Sequence, residues 1–359
     1  MPRHHSKAAI LSIGDELTLG QTLNSNSKWL ADRLVSLGVV TIEHVTIPDD
    51  LAAQVATLRR LAAHADLILV SGGLGPTADD LTRQALAQAM GDILVEDAVS
   101  LAQVETWFGS RGREMPALNR VQALRPSRAE SIPNLFGTAP GLHATLGDGV
   151  DVFCLPGPPA EMKPMFEAAV VPRLRLPPGI VVRTAAVHCF GIGESEIATR
   201  LGPLMERTAS PLVGTTASGG VVSCRIRFEG RASPASADEA MRLMLAEVSK
   251  RVDPHGFSQA DPSLARCVVE ELGSRHATIG VVESCTGGCL GGMITEVPGS
   301  SKVFVGGLLT YANEMKTALA GVDAALLGEG GPGAVSPEVA TAMAQGGLAR
   351  LGSTFCLAI

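Results

Sequence analysis

The sequence predicts an α/β protein of more than one domain, on three observations. Short apolar runs alternate with amphipathic helical stretches, glycine and proline sit at the ends of those runs, and glycine-rich turns follow directly after strands. The 359 residues are 46% hydrophobic but only 3% aromatic, so the core is built mainly from small aliphatic side chains. A chain of this length is expected to form two or three domains. Its 40 glycines and 22 prolines are dispersed, which indicates turns rather than disorder.

The elements follow in order. Ala8 to Ile13 is a short apolar strand, Gly14-Asp15-Glu16-Leu17 a turn, and Asn26 to Leu37 a helix with Leu30, Leu34 and Leu37 on one face. Val40 to Ile47 is a second strand ending at Pro48-Asp49-Asp50; a helix through Val55, Leu58 and Leu61 leads to a third strand at Leu67 to Val70. This βα order predicts a parallel sheet, whose ligands sit beyond the carboxyl ends of its strands. Asp15, Glu16, Asp49, Asp79 and Asp80 all fall at such ends and are expected to converge.

The third strand enters Ser71-Gly72-Gly73-Leu74-Gly75-Pro76-Thr77-Ala78-Asp79-Asp80. Glycines let a backbone approach a ligand and turn successive amides toward an anion, and an adjacent carboxylate can hold a divalent cation. The competing reading is a strand-to-helix turn with Asp79 or Asp80 as helix cap. Gly137-Thr138-Ala139-Pro140-Gly141 and the Leu155-to-Met162 turn, the latter after a strand at Val152 to Leu155, could line the same crevice or be ordinary turns.

From about Val171 the texture changes to strands with polar alternation, Val181 to Phe190 and Val221 to Phe228, and helices starting near Gly193 and Ser236. This predicts a small α+β unit, with a linker at Pro254 to Asp261. A third unit follows: a helix from Leu264 to Leu272, a strand from Thr278 to Val282, the turn Glu283-Ser284-Cys285-Thr286-Gly287-Gly288, and a strand from Val303 to Tyr311. The expected domains are 1–170, 171–255 and 262–359.

The net charge of −7 and the lack of a basic stripe argue against direct nucleic-acid binding. Seven cysteines without a CxxC pair read as buried free thiols in a reducing compartment. Met1 to Lys7 is short and polar and no apolar run has membrane-spanning length, so a cytoplasmic location and no membrane partner are expected.

Taken together, these blocks resemble the CinA family of competence/damage-inducible proteins along nearly the whole chain. The first part resembles a molybdopterin-binding, MogA/MoeA-like domain through Gly14-Asp15-Glu16-Leu17, the Gly72-to-Arg83 block, Gly137 to Gly141 and Leu155 to Met162. The last part resembles a nicotinamide mononucleotide deamidase domain through Glu283 to Gly288 and Gly306 to Lys316. The resemblance implies a three-layer α/β/α first domain, a small α+β middle domain and a second α/β domain.

For the first domain the resemblance implies metal-dependent cleavage of ADP-ribose to AMP and ribose 5-phosphate. A divalent metal, magnesium or similar and with potassium as a second ion, is then expected on Asp80, helped by Asp49 and Asp79. Phosphates are expected on the Gly72, Gly73 and Gly75 amides, with Thr77, Gly137, Thr138, Gly157 and Glu161 as further nucleotide-contacting residues. Where the family usually shows Asp-Thr-Asn, this chain has Asn24-Ser25-Asn26, which is expected to weaken metal or ribose binding.

For the last domain the resemblance implies hydrolysis of the nicotinamide mononucleotide carboxamide, with Ser284 as nucleophile and Lys316 and Tyr311 as activating neighbours. A desolvated lysine can act as base without a histidine. Singly, Ser284 reads as a helix cap, Lys316 as a surface lysine and Cys285 as a buried structural thiol. The chain stops at Ile359 on an apolar run, whereas relatives continue into a substrate loop, so this domain is expected to be incomplete. The resemblance also implies a homodimer. The alternative function is a molybdopterin- or nucleotide-binding protein without turnover, linked to competence or DNA damage.

Overall fold

The computed structural model describes residues 4–359, leaving the first three residues of the polar N-terminus outside it. The chain divides into two compact units, residues 1–184 with 227–241 and residues 185–226 with 242–359. Strands β1 (Lys7–Ile13), β2 (Val40–Ile47) and β3 (Leu67–Ser71) alternate with helices α1 (Asp15–Thr18), α2 (Ser25–Ser36) and α3 (Leu51–Ala62). Helix α4 (Thr82–Met90) follows the glycine turn; a two-stranded ribbon, β4 (Leu94–Glu96) with β5 (Leu124–Pro126), brackets α5 (Ala98–Gly109). Strands β6 (Glu130–Ile132), β7 (Gly141–Leu146) and β8 (Val150–Leu155) lead into α6 (Pro159–Met165).

The sheet order is β2-β1-β3-β8-β7-β6. Four strands pair in parallel as expected, but β7 runs antiparallel to β8, and β6 to β7. The antiparallel edge has a local reason. A parallel return needs a crossover of about a dozen residues. Only Gly147-Asp148-Gly149 separates β7 from β8, with both glycines at positive φ, and such a turn permits only a hairpin.

The central strands are buried on both faces, which explains their unbroken apolar runs. Ala9, Leu11, Ile68, Val70, Val152 and Cys154 pack one face against Leu58 and Leu61 of α3 and Ala85 and Leu86 of α4. Ala8, Ile10, Leu67, Leu69, Phe153 and Leu155 pack the other against Leu30 and Leu34 of α2 and Met162 and Met165 of α6. The result is a three-layer α/β/α arrangement. At the opposite end of the strands the buried Asp151 carboxylate holds His5 (3.0 Å) and Arg175 (2.6 Å), tying the segment before β1 to β8.

A four-stranded sheet of order β10-β11-β9-β12 is formed by β9 (Ile180–Phe190), β10 (Leu212–Ser218), β11 (Val221–Arg231) and β12 (Gly256–Ser258), with α7 (Glu194–Leu201) and α8 (Pro234–Val252). The remaining elements are α9 (Leu264–Ser274), β13 (Ile279–Glu283), α10 (Cys289–Thr295), β14 (Phe304–Leu309), α11 (Asn313–Ala320), α12 (Ala324–Leu327), α13 (Pro337–Leu351) and β15 (Phe355–Ala358). Here β13 is central, in the order β14-β13-β15, parallel to both neighbours. Its Ile279 and Val281 face α9 and α10, while Val282 faces Val339 and Met343 of α13. No helix among the described residues is long and apolar enough to cross a membrane.

Candidate functional site

The carboxyl ends of β1, β2, β3 and β8 surround a cleft of about 350 Å³, lined by Glu16, Asp49, Asp79, Asp80 and Glu161 among others. The acids therefore converge where the parallel topology demands. Asp15 lies just behind: its N–H donates to Asp49 Oδ2 (2.9 Å) and its carboxylate accepts from the Asp49 N–H (3.2 Å). Burial lifts the Asp49 carboxyl above the ordinary range, and the charges of Asp15, Asp79 and Glu16 lift it further against the hydrogen bond from Asp15. Gly72, Gly73, Gly75, Thr77, Thr138 and Gly157 also line the cleft. Gly137 lies under its wall, where a Cβ would come 1.9 Å from Glu161 Oε2.

The glycine turn differs in detail from its expected use. The Gly75 N–H donates to Asp80 Oδ1 (2.7 Å), the Thr77 N–H and hydroxyl both donate to Asp80 Oδ2, and the Gly72 N–H donates to Leu155 O (3.1 Å). The amides of Gly72 and Gly75 are thus engaged within the protein, and the Gly73 and Leu74 amides are the ones left without an acceptor among the described residues. Asp80 orders the turn from within instead of projecting both oxygens into the cleft. Neither Asp79 nor Asp80 caps the following helix, whose N-cap is Leu81 without a side-chain bond. No group of three or more His, Cys, Asp or Glu able to hold a metal is assembled among the described residues.

Asn134 escaped the sequence reading in this region, and Asn24 and Asn26 take structural tasks there. Asn134, buried, donates to Glu161 Oε2 (2.7 Å) and to Ala139 O (3.0 Å), fixing Glu161 beside the Gly137 turn. Asn24 accepts from the Ser27 N–H (3.1 Å) and so caps α2, a task asparagine performs as well as aspartate. Asn26 bridges Ser71 Oγ (2.8 Å) and Gly157 O (2.7 Å), joining two of the turns. No sequence spacing links residues this far apart.

In the last domain the turns after β13 and β14 bring Ser284 and Lys316 together: Lys316 Nζ lies 3.0 Å from Ser284 Oγ. Lys316 is only 3% exposed, contrary to a surface lysine, and Nζ also donates to Thr310 O and Tyr311 O, each at 2.9 Å. Tyr311 contributes this carbonyl; its ring is 78% exposed. Ser284 does not cap α10, whose N-cap is Gly288. Its own N–H donates to Ile359 O (2.7 Å), at the end of β15.

Glu283 organises the turn. Buried at the end of β13, its carboxylate accepts from the Thr286 hydroxyl (2.7 Å) and from the N–H groups of Gly288 (3.0 Å), Leu290 (3.0 Å) and Gly291 (2.7 Å). Burial pushes this carboxyl upward, but the hydroxyl and amide donors outweigh it and the net shift is downward. Cys285 and Cys289 are exposed, correcting the expectation of buried thiols there, whereas Cys154, Cys189 and Cys224 are buried. Cys285 lies in the glycine turn after β13 and Cys289 is the first residue of α10.

Comparison with known proteins gives three family matches: a probable molybdopterin binding domain at residues 9–176, the damage-inducible protein CinA KH domain at 184–258, and the CinA C-terminal domain at 261–359. A CinA-like protein of Synechococcus sp. (strain RCC307) is 40% identical over 361 residues, covering 100% of this chain and 86% of that protein. A CinA-like protein of Geobacter sulfurreducens is 40% identical over 362 residues, covering 98% and 85%. Among solved structures, CinA from Thermoplasma acidophilum is similar at 31% identity and TM-score 0.43, covering 45% of this chain and 95% of that one. With 40% identity over 361 residues and three matched family regions, the chain belongs to the CinA family.

Proposed function

We propose that the chain is a nucleotide hydrolase with two sites, and that the last domain hydrolyses the carboxamide of nicotinamide mononucleotide. The observation that carries this reading is the 3.0 Å approach of Lys316 Nζ to Ser284 Oγ inside a buried, carbonyl-rich niche. A neutral amine has two N–H groups and one lone pair. The carbonyls of Thr310 and Tyr311 take the two N–H groups, which leaves the lone pair for the Ser284 hydroxyl proton.

In this mechanism Ser284 Oγ attacks the carboxamide carbon while its proton passes to Lys316. The C–N bond then breaks, Lys316 returns the proton to the departing ammonia, and water releases the acid from the acyl-serine. The Cys285 and Thr286 N–H groups follow the nucleophile and have no acceptor among the described residues, so they are available to the oxyanion.

The first domain supports a second hydrolytic reading, cleavage of diphosphates such as ADP-ribose, because carboxylates and free amides share one cleft. Its oxygen-only donors suit a magnesium-like ion, which takes one or two carboxylates and completes its shell with water and substrate phosphates. Asp49 and Asp79, with Glu16 beside them, would hold it; burial first, and then the neighbouring acids, raise the Asp49 carboxyl, and a cation would favour its charged form. When bound, the ion offsets charge on the diphosphate oxygens during attack. The Gly73 and Leu74 amides receive phosphate oxygens, and Glu161, steadied by Asn134, accepts the proton of the attacking water.

The test is incubation of the full chain with nicotinamide mononucleotide and with ADP-ribose, each with and without magnesium. Ammonia release lost in Ser284→Ala supports the amidase, and magnesium-dependent AMP release that needs more magnesium in Asp49→Asn supports the diphosphatase. A molybdopterin- or nucleotide-binding role without turnover would instead give a ligand-induced rise in melting temperature and no product.

A further inference from the structure

Four consecutive carbonyls of the glycine turn are held by only two residues at the start of α4. Gly72 O accepts from the Thr82 hydroxyl (2.9 Å) and Gly73 O from the Thr82 N–H (3.2 Å). Leu74 O accepts from Arg83 Nη2 (2.6 Å) and Gly75 O from Arg83 Nη1 (3.2 Å). The turn can come this close only because Gly73 lacks a side chain: its φ is +66°, and a Cβ would sit 2.3 Å from Thr82 Oγ1.

Arg83 is 1% exposed, has no ion pair among the described residues, and its Nε has no hydrogen-bond partner. Burial draws its pKa down to about 10, with the Asp80 charge opposing, so the guanidinium stays positive at neutral pH. An unpaired buried guanidinium is expensive. The cleft in front of the turn supplies a reason. Its lining includes Glu16, Asp49, Asp79, Asp80 and Glu161 and no lysine or arginine, so fixed positive charge for an anion has to come from behind the loop.

We propose that Arg83 is the positioning residue of a diphosphate-binding turn. Its fork holds the Leu74 and Gly75 carbonyls inward, the Gly73 and Leu74 amides are left for phosphate oxygens, and its charge lowers the repulsion that the surrounding acids exert on a diphosphate. Arg83 itself makes no contact with the ligand. The inference rests on the reading of this cleft as a phosphate site, and deepens it by assigning the source of anion affinity.

Inorganic pyrophosphate serves as the probe, because its binding can be followed whether or not ADP-ribose is cleaved. Calorimetric titration with magnesium present compares the full chain with Arg83→Met, which removes the charge at similar length, Arg83→Gln, which keeps one donor, and Arg83→Lys, which keeps the charge. Thermal unfolding checks each fold. Affinity is expected to fall at least tenfold in the Met and Gln variants and by less in Lys, which keeps the charge but loses the fork. Parental affinity in a folded Met or Gln variant would overturn the proposal. Should neither neutral variant fold, Arg83→Lys decides: near-parental affinity supports the role of charge, and loss of binding in a folded Lys variant overturns it. Absence of pyrophosphate binding by the parent chain would overturn it too. Pyrophosphate binding without ADP-ribose cleavage would count against the diphosphatase reading alone.

Discussion

Lys316 Nζ lies 3.0 Å from Ser284 Oγ, although 32 residues separate them in the chain. The two meet because β13 and β14 are adjacent parallel strands, so the turns after them emerge at the same sheet end. Lys316, in the first turns of α11, reaches back across that end to a hydroxyl and two carbonyls.

Replacing the amine tests this pair. Lys316→Met keeps length and burial but removes the proton acceptor, and amide hydrolysis should fall by about 100- to 10,000-fold, the usual contribution of a positioned base. Ser284→Ala should abolish acyl transfer altogether. Ammonia release, measured alongside the melting temperature, checks both; a Lys316→Met variant that retains parental turnover would remove Lys316 from the mechanism.

Glu283 should matter for stability as much as for activity. Glu283→Ala leaves the Gly288, Leu290 and Gly291 N–H groups without their shared acceptor. Loss of a buried, charge-assisted set of this kind should cost about 3 kcal/mol or more, read by urea unfolding. Because its carboxyl is depressed in the folded protein, the stabilisation is present above the unfolded glutamate pKa and is lost as pH falls through the lower, folded value. The parent should therefore lose this contribution in acid, and Glu283→Ala should lack that part of the pH dependence.

Asp49 and Asp80 should separate cleanly in their response to metal. Asp80→Asn loosens the turn, since an amide cannot accept from the Gly75 N–H and from both Thr77 donors in the same way. Diphosphate cleavage should drop at least tenfold, without recovery at high magnesium. Asp49→Asn should instead raise the magnesium concentration giving half-maximal rate. Rescue of Asp80→Asn by magnesium would return the cation to Asp80.

Gly137→Ala places a Cβ 1.9 Å from Glu161 Oε2, so the carboxylate has to move. Diphosphate cleavage should fall tenfold or more with a stability change of only about 1 kcal/mol, because a side-chain end can shift at small cost while the proton acceptor is misplaced. Parallel loss in Glu161→Gln, which keeps the shape, would tie the effect to the carboxylate. Full activity in Gly137→Ala would exclude Glu161 from the reaction.

Asp151 provides a control at the other end of the sheet. Burial pushes its carboxyl up, but His143, His5 and Arg175 together hold it well below the ordinary range. Asp151→Ala removes the acceptor of the buried His5 Nε2 and should destabilise by about 3 kcal/mol or more in thermal or urea unfolding. The kcat of folded protein should be unchanged, since the acids of the cleft lie at the opposite strand ends. The stabilisation is present above the unfolded aspartate pKa, near 3.9, and is lost only as pH falls below it.

Much of this protein was legible in its sequence. The apolar runs at Ala8 to Ile13 and Leu67 to Val70 are unbroken because helices cover both faces of the central strands, and that burial is written directly into residue type. The same logic put the acids and glycine turns at strand ends, where a parallel sheet gathers them. Tertiary structure alone decided what each group touches. Residue order does not say that Asp80 turns inward onto Gly75 and Thr77, that Arg83 lies buried behind the turn, or that Tyr311 lends Lys316 a carbonyl and leaves its ring in solvent. These outcomes depend on which buried donors and acceptors find one another once the strands are in register, and a hydrogen bond between residues 32 or 131 positions apart leaves no periodic trace in the chain.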